Sequence, residues 1–145
     1  MVDFLVIGPV GAVIYRNIFP LIKDGNVSFG WNRVVEFDNG VKFGNIRWFS
    51  NISDYYPPKL ELKKHYNEID YDRFDNYDCI NIDRIEDIPD DYDGLMGVPI
   101  TFLDKWNYDQ FEVIGFGMSG SGGYDMFAPI VEGDYKFRRI LIKRK

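Results

Sequence analysis

The stretch VVEFDNGVKFGNIRWFSNI, residues 34–52, carries the strongest local fold signal in the sequence. Two alternating segments flank Asn39-Gly40, a pair that is favoured in tight hairpin turns because both central residues need positive φ. Asn45–Ile52 continues as a further strand. The stretch therefore predicts an antiparallel hairpin with a strand directly after it.

The residues before this hairpin predict a strand, a helix and a second strand. FLVIGP, Phe4–Pro9, is a continuous apolar run that is typical of a fully buried, parallel strand. Helical spacing of apolar residues follows over Ala12–Lys23, with Gly25 as a stop signal. Asn26–Trp31 has the pattern of another strand. This first third is thus predicted to be α/β, with one crossover and an antiparallel edge.

The second half of the chain is predicted to be α+β and rich in loops. From Asn67 to Asp93 there are eleven Asp and Glu residues and only two Arg. We expect a short helix over Leu60–Tyr66 and one strand with buried Cys79, Ile80, Ile82 and Ile85. Further on, we expect a helical turn at Pro99–Leu103 and strands at Gln110–Gly115 and Arg138–Lys143.

Composition narrows the class of protein. The net charge of -6 argues against nucleic acid, yet residues 136–145 hold six Lys and Arg and no acid, so one end is basic. A single Cys79 and a single His65 offer neither a disulfide nor a zinc ligand set, and D-D-Y-D-G at residues 90–94 lacks calcium-loop spacing. No metal site is predicted.

No apolar run approaches the ~20 residues of a membrane span, and no signal peptide opens the chain, so a cytoplasmic protein is expected.

The segment FEVIGFGMSGSGGYD, Phe111–Asp125, contains the spacing G-x-G-x-x-G after a predicted strand. A dinucleotide site needs a helix to begin within these glycines, since its N-terminus holds the pyrophosphate. Gly122, Gly123 and Pro129 argue against a helix there. We therefore predict a loop without a nucleotide, which disfavours an oxidoreductase.

Five stretches of the sequence carry a resemblance to a known family. The run FDNYDCINIDRIEDIPDDYDGLMGVPITFLDKWNYDQFEVIG, Phe74–Gly115, resembles the C-terminal region of the EcoRI-type adenine-specific DNA methyltransferase family. Upstream, FLVIG, NIFPLIKDG and IRWFSNI resemble that family's last core strand, the following helix and a W-F-T-N strand. Downstream, RRILIKRK resembles its closing segment.

The resemblance implies transfer of a methyl group from S-adenosylmethionine to N6 of an adenine that is flipped out of DNA in a restriction-modification system. It also implies that residues 1–54 are the C-terminal strands of a Rossmann-like methyltransferase sheet, and that residues 55–145 are a loop-rich target-recognition region. The family's cofactor loop and N-P-P-[FYW] motif are not in this sequence, because its only Pro-Pro, Pro57-Pro58, follows two tyrosines. We expect a C-terminal fragment or split subunit that binds no S-adenosylmethionine alone. A non-catalytic DNA-binding module is the alternative.

Few site residues follow from the resemblance, and no catalytic residue is assigned. Trp48, Phe49 and Asn51 match the strand that presents an aromatic to the flipped base, and Phe49 is the preferred stacking residue. Two groups are predicted to contact DNA: the basic residues at the end of the chain through phosphates, and three glycine-loop residues through base edges. These are Arg138, Arg139, Lys143, Arg144, Lys145, and Ser119, Ser121, Tyr124. Expected partners are DNA, a chain that carries the cofactor-binding half, and a second copy in a homodimer, since half-built sheets leave exposed edges.

Overall fold

The computed structural model describes residues 2–29, 34–52, 56–118, 126–127, 129–136 and 138–145 of the chain. These residues form a mixed α/β structure in which strands predominate. The chain divides into two compact units, Met1–Pro57 (unit 1) and Pro58–Lys145 (unit 2). Within the described ranges, no helix is both long and apolar enough to cross a bilayer.

The elements are short and follow one another closely. The strands are β1 (Leu5–Pro9), β2 (Ser28–Phe29), β3 (Val34–Glu36), β4 (Lys42–Ser50), β5 (Cys79–Asn81), β6 (Leu95–Pro99), β7 (Phe111–Met118), β8 (Met126–Phe127), β9 (Ile130–Val131), β10 (Asp134–Tyr135) and β11 (Arg139–Arg144). The α-helix in the described part is α1 (Phe19–Lys23), and 3₁₀ turns lie at Val10–Ile14, Ile85–Asp87 and Ile100–Lys105.

The sheet of unit 1 has the order β1-β4-β2, and β3 pairs with β4 as well. β1 and β2 both run antiparallel to β4, so they are parallel to each other with β4 between them. The predicted crossover is therefore present. The prediction that Phe4–Pro9 is a buried parallel strand is wrong, because β1 pairs antiparallel with β4 and Leu5 is 58% exposed.

The helix predicted over Ala12–Lys23 is wrong in its extent. Val10–Ile14 forms a 3₁₀ turn, and the α-helix begins only at Phe19. Pro20 lies in its first turn, where a residue without an N–H is tolerated because that donor has no intrahelical partner. Gly25 ends the helix as predicted, with φ +76°.

The hairpin around Asn39-Gly40 is confirmed, but its turn differs from the predicted one. Only Gly40 has positive φ, +80°, and its N–H donates to the Phe37 carbonyl at 2.8 Å. The Phe37 N–H donates to the Val41 carbonyl at 3.0 Å, so three residues rather than two connect the strands. This is the loop in which one left-handed glycine follows an ordinary turn. The predicted strand Asn45–Ile52 is the second half of the long β4.

The larger sheet of unit 2 has the order β5-β6-β11-β7-β8. β11 lies antiparallel to both β6 and β7, with an irregularity between Leu141 and Ile142. The predicted strands at Cys79, Gln110–Gly115 and Arg138–Lys143 are confirmed, as is the turn after Pro99. The prediction that Ile85 is buried with the strand at Cys79 is wrong, because β5 ends at Asn81 and Ile85 is half-buried in a 3₁₀ turn. β6 was not expected, because LMGVP shows no alternation.

The helix predicted over Leu60–Tyr66 is wrong. This segment is extended, with an isolated bridge between Lys64 and Pro89. Gln110 fixes its start: the Leu60 N–H donates to Gln110 Oε1 at 2.6 Å, and Gln110 Nε2 donates to the Leu60 carbonyl at 2.8 Å. Contacts fifty residues apart in sequence thus override the local helical pattern.

Candidate functional site

β4 places the three candidate base-contacting residues in different environments. Val6 pairs with Phe49 and Ile7 with Trp48, so the two aromatics point to opposite faces of the sheet. Phe49 is 5% exposed and its ring meets the edge of Phe29 at 5.4 Å between centroids. Trp48 is half-buried on the other face.

Asn51 acts as a clamp between the two ends of unit 1. Its Oδ1 accepts the Phe4 N–H at 2.8 Å, and its Nδ2 donates to the Val2 carbonyl at 3.1 Å. Ser50 adds a third bond, from its hydroxyl to the Phe4 carbonyl at 2.9 Å. These bonds hold the residues before β1 against the end of β4.

Phe49 forms part of the wall of an apolar cavity of about 200 Å³ in unit 1. Gly8 allows the ring to lie over β1, because a Cβ there would be 3.2 Å from Phe49 Cε2. The lining side chains offer a surface for a flat apolar group, and no carboxylate, imidazole or thiol for acid-base chemistry. They are Phe4, Val6, Gly8, Ala12, Tyr15, Ile18, Leu21, Val27 and Phe49.

Arg47 is a buried charged residue that sequence reasoning did not single out. It is 3% exposed, pairs with Gly8 across the sheet and so shares the face of Phe49. Its guanidinium carbon lies 5.9 Å from the centroid of the Phe29 ring, and Nη1 donates to the Ile46 carbonyl. Arg47 could have been found from the sequence, because it stands next to Trp48 and Phe49 in a predicted strand and Arg often forms cation–π contacts with aromatic rings.

The basic residues at the end of the chain fall into two groups. Arg139 Nη2 donates to Asp83 Oδ1 at 2.7 Å, and Arg144 Nη2 donates to Asp93 Oδ1 at 2.9 Å. Lys143 and Lys145 are exposed and form no ion pair with another residue in the described ranges. Arg138, the remaining candidate, is half-buried with φ +53° directly before β11.

Asp83 receives three polar neighbours. Asn81 Nδ2 donates to it at 3.0 Å, and the charges of Lys136 and Arg139 lie close. The Asn81 hydrogen bond and these two cations hold the pKa of Asp83 below its usual value, against the opposing effect of burial. Part of the basic end is therefore neutralised by the acidic region of the same unit.

The glycine segment takes part in strand pairing where the structure describes it. Gly115 and Gly117 lie in β7, opposite Leu141 and Arg139 of β11. The described residues that follow form the strands β8 and β9. Gly115 and Gly117 thus lie inside a strand rather than in the turn that opens a helix at a nucleotide or S-adenosylmethionine site, and Gly120 lies outside the described residues. Ser119, Ser121 and Tyr124 lie outside the described residues.

A second, polar cavity of about 420 Å³ lies in unit 2, and sequence reasoning missed it. Lys64 Nζ lies 2.5 Å from Asp87 Oδ1, and this hydrogen bond lowers the pKa of Asp87. The Tyr71 hydroxyl donates to the Asp87 carbonyl at 2.8 Å, and burial raises the pKa of Tyr71. Lys64, Tyr71 and Asp87 are thus held to one another in this cavity. It is lined by Lys64, His65, Asp70, Tyr71, Asp72, Asn81, Ile82, Asp83 and Asp87.

Two further groups are held in structural roles. His65 Nδ1 lies 2.7 Å from Asp90 Oδ1, and the Tyr66 N–H donates to Asp91 Oδ1 at 2.6 Å, so these carboxylates tie residues 64–66 to the loop. The ligand atoms of His65, Asp90 and Asp91 lie within 4.8 Å of one another on the surface. Cys79 is fully buried, and burial raises the pKa of its thiol to about 12, which excludes it as a nucleophile near neutral pH.

Comparison with known proteins gives a consistent result. The family model described as "Adenine-specific methyltransferase EcoRI" matches residues 32–145. The chain is 35% identical to the type II methyltransferase M.EcoRI of Escherichia coli over 98% of its own length and 50% of that relative. It is 36% identical to M.MgeORF184P of Mycoplasma genitalium and 35% identical to M.MpnI of Mycoplasma pneumoniae, in each case over 77% of this chain.

The chain spans about half the length of these relatives: 50%, 44% and 43% of them, respectively. No solved structure matches it.

Proposed function

The chain belongs to the EcoRI adenine-specific methyltransferase family, and on that premise we propose that it supplies the C-terminal, DNA-contacting part of a type II enzyme that methylates N6 of adenine in a restriction-modification system. The proposal includes a cytoplasmic location and a Rossmann-like origin for the sheet of unit 1. Its main support is the match over 98% of this chain.

The packing of unit 2 agrees with this proposal. LMGVP, FEVIG and RILIKR, which lie in the stretches that resemble the family, fall in the neighbouring strands β6, β7 and β11. CIN, from the resembling run at residue 79, forms the neighbouring β5. The segments of unit 2 that resemble the family therefore lie in one sheet rather than at scattered surface positions.

S-adenosylmethionine would be the methyl donor of the complete enzyme. Gly115 and Gly117 lie inside β7, and neither the family's cofactor loop nor N-P-P-[FYW] is in this sequence. We propose that both elements come from a part of the enzyme outside these residues, and that residues 1–145 alone transfer no methyl group. The residues described here would bind DNA and position the extruded base.

Complementation tests this division of labour. The chain would be mixed with the half of M.EcoRI that it does not match, produced as a separate polypeptide, and methyl transfer from labelled S-adenosylmethionine to DNA would be measured. We expect transfer by the mixture and none by this chain alone. Transfer by this chain alone would contradict the division. A complex that binds DNA without transfer would favour a non-catalytic DNA-binding module.

We assign base stacking to Phe49, because its ring lines the apolar cavity while Trp48 lies on the opposite face of β4. Asn51 supports this arrangement by its bonds to residues 2 and 4. An adenine must leave the duplex before its N6 can reach a methyl donor, and stacking on an aromatic ring contributes ~1–3 kcal/mol.

The substitution Phe49→Leu tests this role while keeping an apolar side chain. In the complemented enzyme, we expect weaker binding to DNA with an extruded adenine, by ~1–3 kcal/mol, and little change for plain duplex. Phe29→Leu is the matched control, because Phe29 packs on Phe49 but does not line the cavity. Equal losses on the two DNAs would count against stacking. Fluorescence of 2-aminopurine at the target position gives an independent measure of extrusion.

For phosphate contacts, Lys143 and Lys145 are the exposed cations of the basic end. Arg139 and Arg144 would first have to leave Asp83 and Asp93. Arg138, which adjoins β11, belongs to the same proposed patch. Ser119, Ser121 and Tyr124 remain proposed base-edge contacts in the glycine loop.

A further inference from the structure

We infer that the outer face and free edge of β1 form the surface on which the remaining half of the methyltransferase docks; the inference rests on the proposed function. Leu5 and Ile7 point to the face opposite the Phe49 cavity, where they are 58% and 40% exposed. Across the sheet they meet Ser50 and the half-buried Trp48. An apolar strand surface of this kind is unusual where only water faces it.

The edge of β1 is open as well. In the described ranges, β1 pairs with β4 and with no other strand. Its second row of backbone donors and acceptors is therefore available to another strand, in the way that exposed sheet edges recruit further chain. Face and edge together offer both side-chain burial and main-chain hydrogen bonds to one partner.

The sequence of β1 indicates what covers it. FLVIGP has the composition of a strand that is covered on both faces, and residues 12–27 line the cavity on its Phe49 side, whereas Leu5 and Ile7 on the other side are exposed. M.EcoRI is about twice as long as the part that this chain matches, since the alignment takes up 50% of it. That relative therefore contains a further part of about the same size as this chain, and the uncharged face of Leu5, Ile7, Ile46 and Trp48 would suit an apolar layer.

Binding of the unmatched half of M.EcoRI tests the surface directly. We expect Leu5→Glu to weaken this association by about 10- to 100-fold, the factor by which burial of one such side chain changes an equilibrium. Val41→Glu is the matched control, because Val41 is an equally apolar, 44% exposed residue of unit 1 in the hairpin. Sedimentation would measure association, and circular dichroism would verify that both variants fold.

Hydrogen exchange on the unmodified chain is a second measurement that needs no substitution. Adding the partner should slow exchange of the amides in Leu5–Ile7, while the hairpin amide of Val41 should be unaffected. No protection in β1, or equal binding by the two glutamate variants, would overturn the inference. Self-association that Leu5→Glu abolishes would overturn it in favour of a second copy.

The outcomes separate this surface from the proposed function. A Leu5-dependent complex that transfers no methyl group would leave the docking surface intact and reject the enzymatic proposal. Methyl transfer by a mixture whose association is unchanged by Leu5→Glu would support the enzymatic proposal and reject the docking surface.

Discussion

β1 of unit 1 and β11 of unit 2 both contain three consecutive large apolar residues, yet these residues differ in burial. β11 is paired on both edges, and Ile140, Leu141 and Ile142 are fully buried. Among the described residues β1 is paired on one edge, and Leu5, Val6 and Ile7 are 40–58% exposed. The difference shows that an apolar run predicts a strand but not how deeply that strand is buried. Burial depends on residues that are far away in sequence.

Truncation of one leucine in each strand is the strongest test of this comparison. Leu141→Ala should lower the free energy of unfolding by ~2–5 kcal/mol, because it leaves a cavity in the core that Leu141 forms with Phe74, Cys79 and Val131. Leu5→Ala should change it by no more than ~0.5 kcal/mol, since Leu5 is 58% exposed. Urea unfolding measures both.

Alkylation of Cys79 provides a readout for unit 2. The thiol is fully buried and its pKa is raised to about 12 by burial, so it should react only after unit 2 opens. Leu141→Ala should move its exposure to lower urea, and Leu5→Ala should leave it in place. Equal shifts for the two variants would mean that β1 is as firmly packed as β11.

Two glycines, Gly97 in unit 2 and Gly44 in unit 1, differ in the space around them. A Cβ at Gly97 in β6 would lie 2.4 Å from Phe74 Cε2, whereas one at Gly44 in β4 would meet nothing within 4 Å. Gly97→Ala should therefore destabilise the chain by ~1–3 kcal/mol through overpacking. Gly44→Ala should be close to neutral. Thermal unfolding distinguishes them, and a neutral Gly97→Ala would show that Phe74 moves aside freely.

Much of the fold was predictable where the signal is local. The hairpin at Asn39-Gly40 and the strands β7 and β11 follow from turn residues and apolar runs. β6 was missed because LMGVP is short and does not alternate between apolar and polar residues. Its Gly97 is covered by the ring of Phe74, a contact that the sequence does not indicate. The wrong helix at Leu60–Tyr66 has the same origin, since Gln110 holds Leu60 in an extended segment.

The candidate site was predictable only in part. Alternation along β4 indicates that one of Trp48 and Phe49 faces inward, and the structure places Phe49 there. The Asn51 clamp and the Arg139–Asp83 pair join residues 47 and 56 positions apart, which no spacing rule connects. Pairings of this length depend on the complete fold.

The smallest predicted effect concerns pH and the acidic side of unit 2. The Asp83 pKa lies below its unfolded value of ~3.9, so its contribution to stability is present above that pH and lost as pH falls through the folded pKa. Asp83→Asn should cost ~0.5 kcal/mol at pH 7, because the carboxylate is 60% exposed, and should flatten the decline of stability between about pH 5 and pH 2. Glu68→Gln, an exposed carboxylate without an ion pair in the described ranges, is the control. Urea unfolding at several pH values gives the slope, and a slope unchanged by Asp83→Asn would show that the Arg139–Asp83 pair contributes nothing to stability.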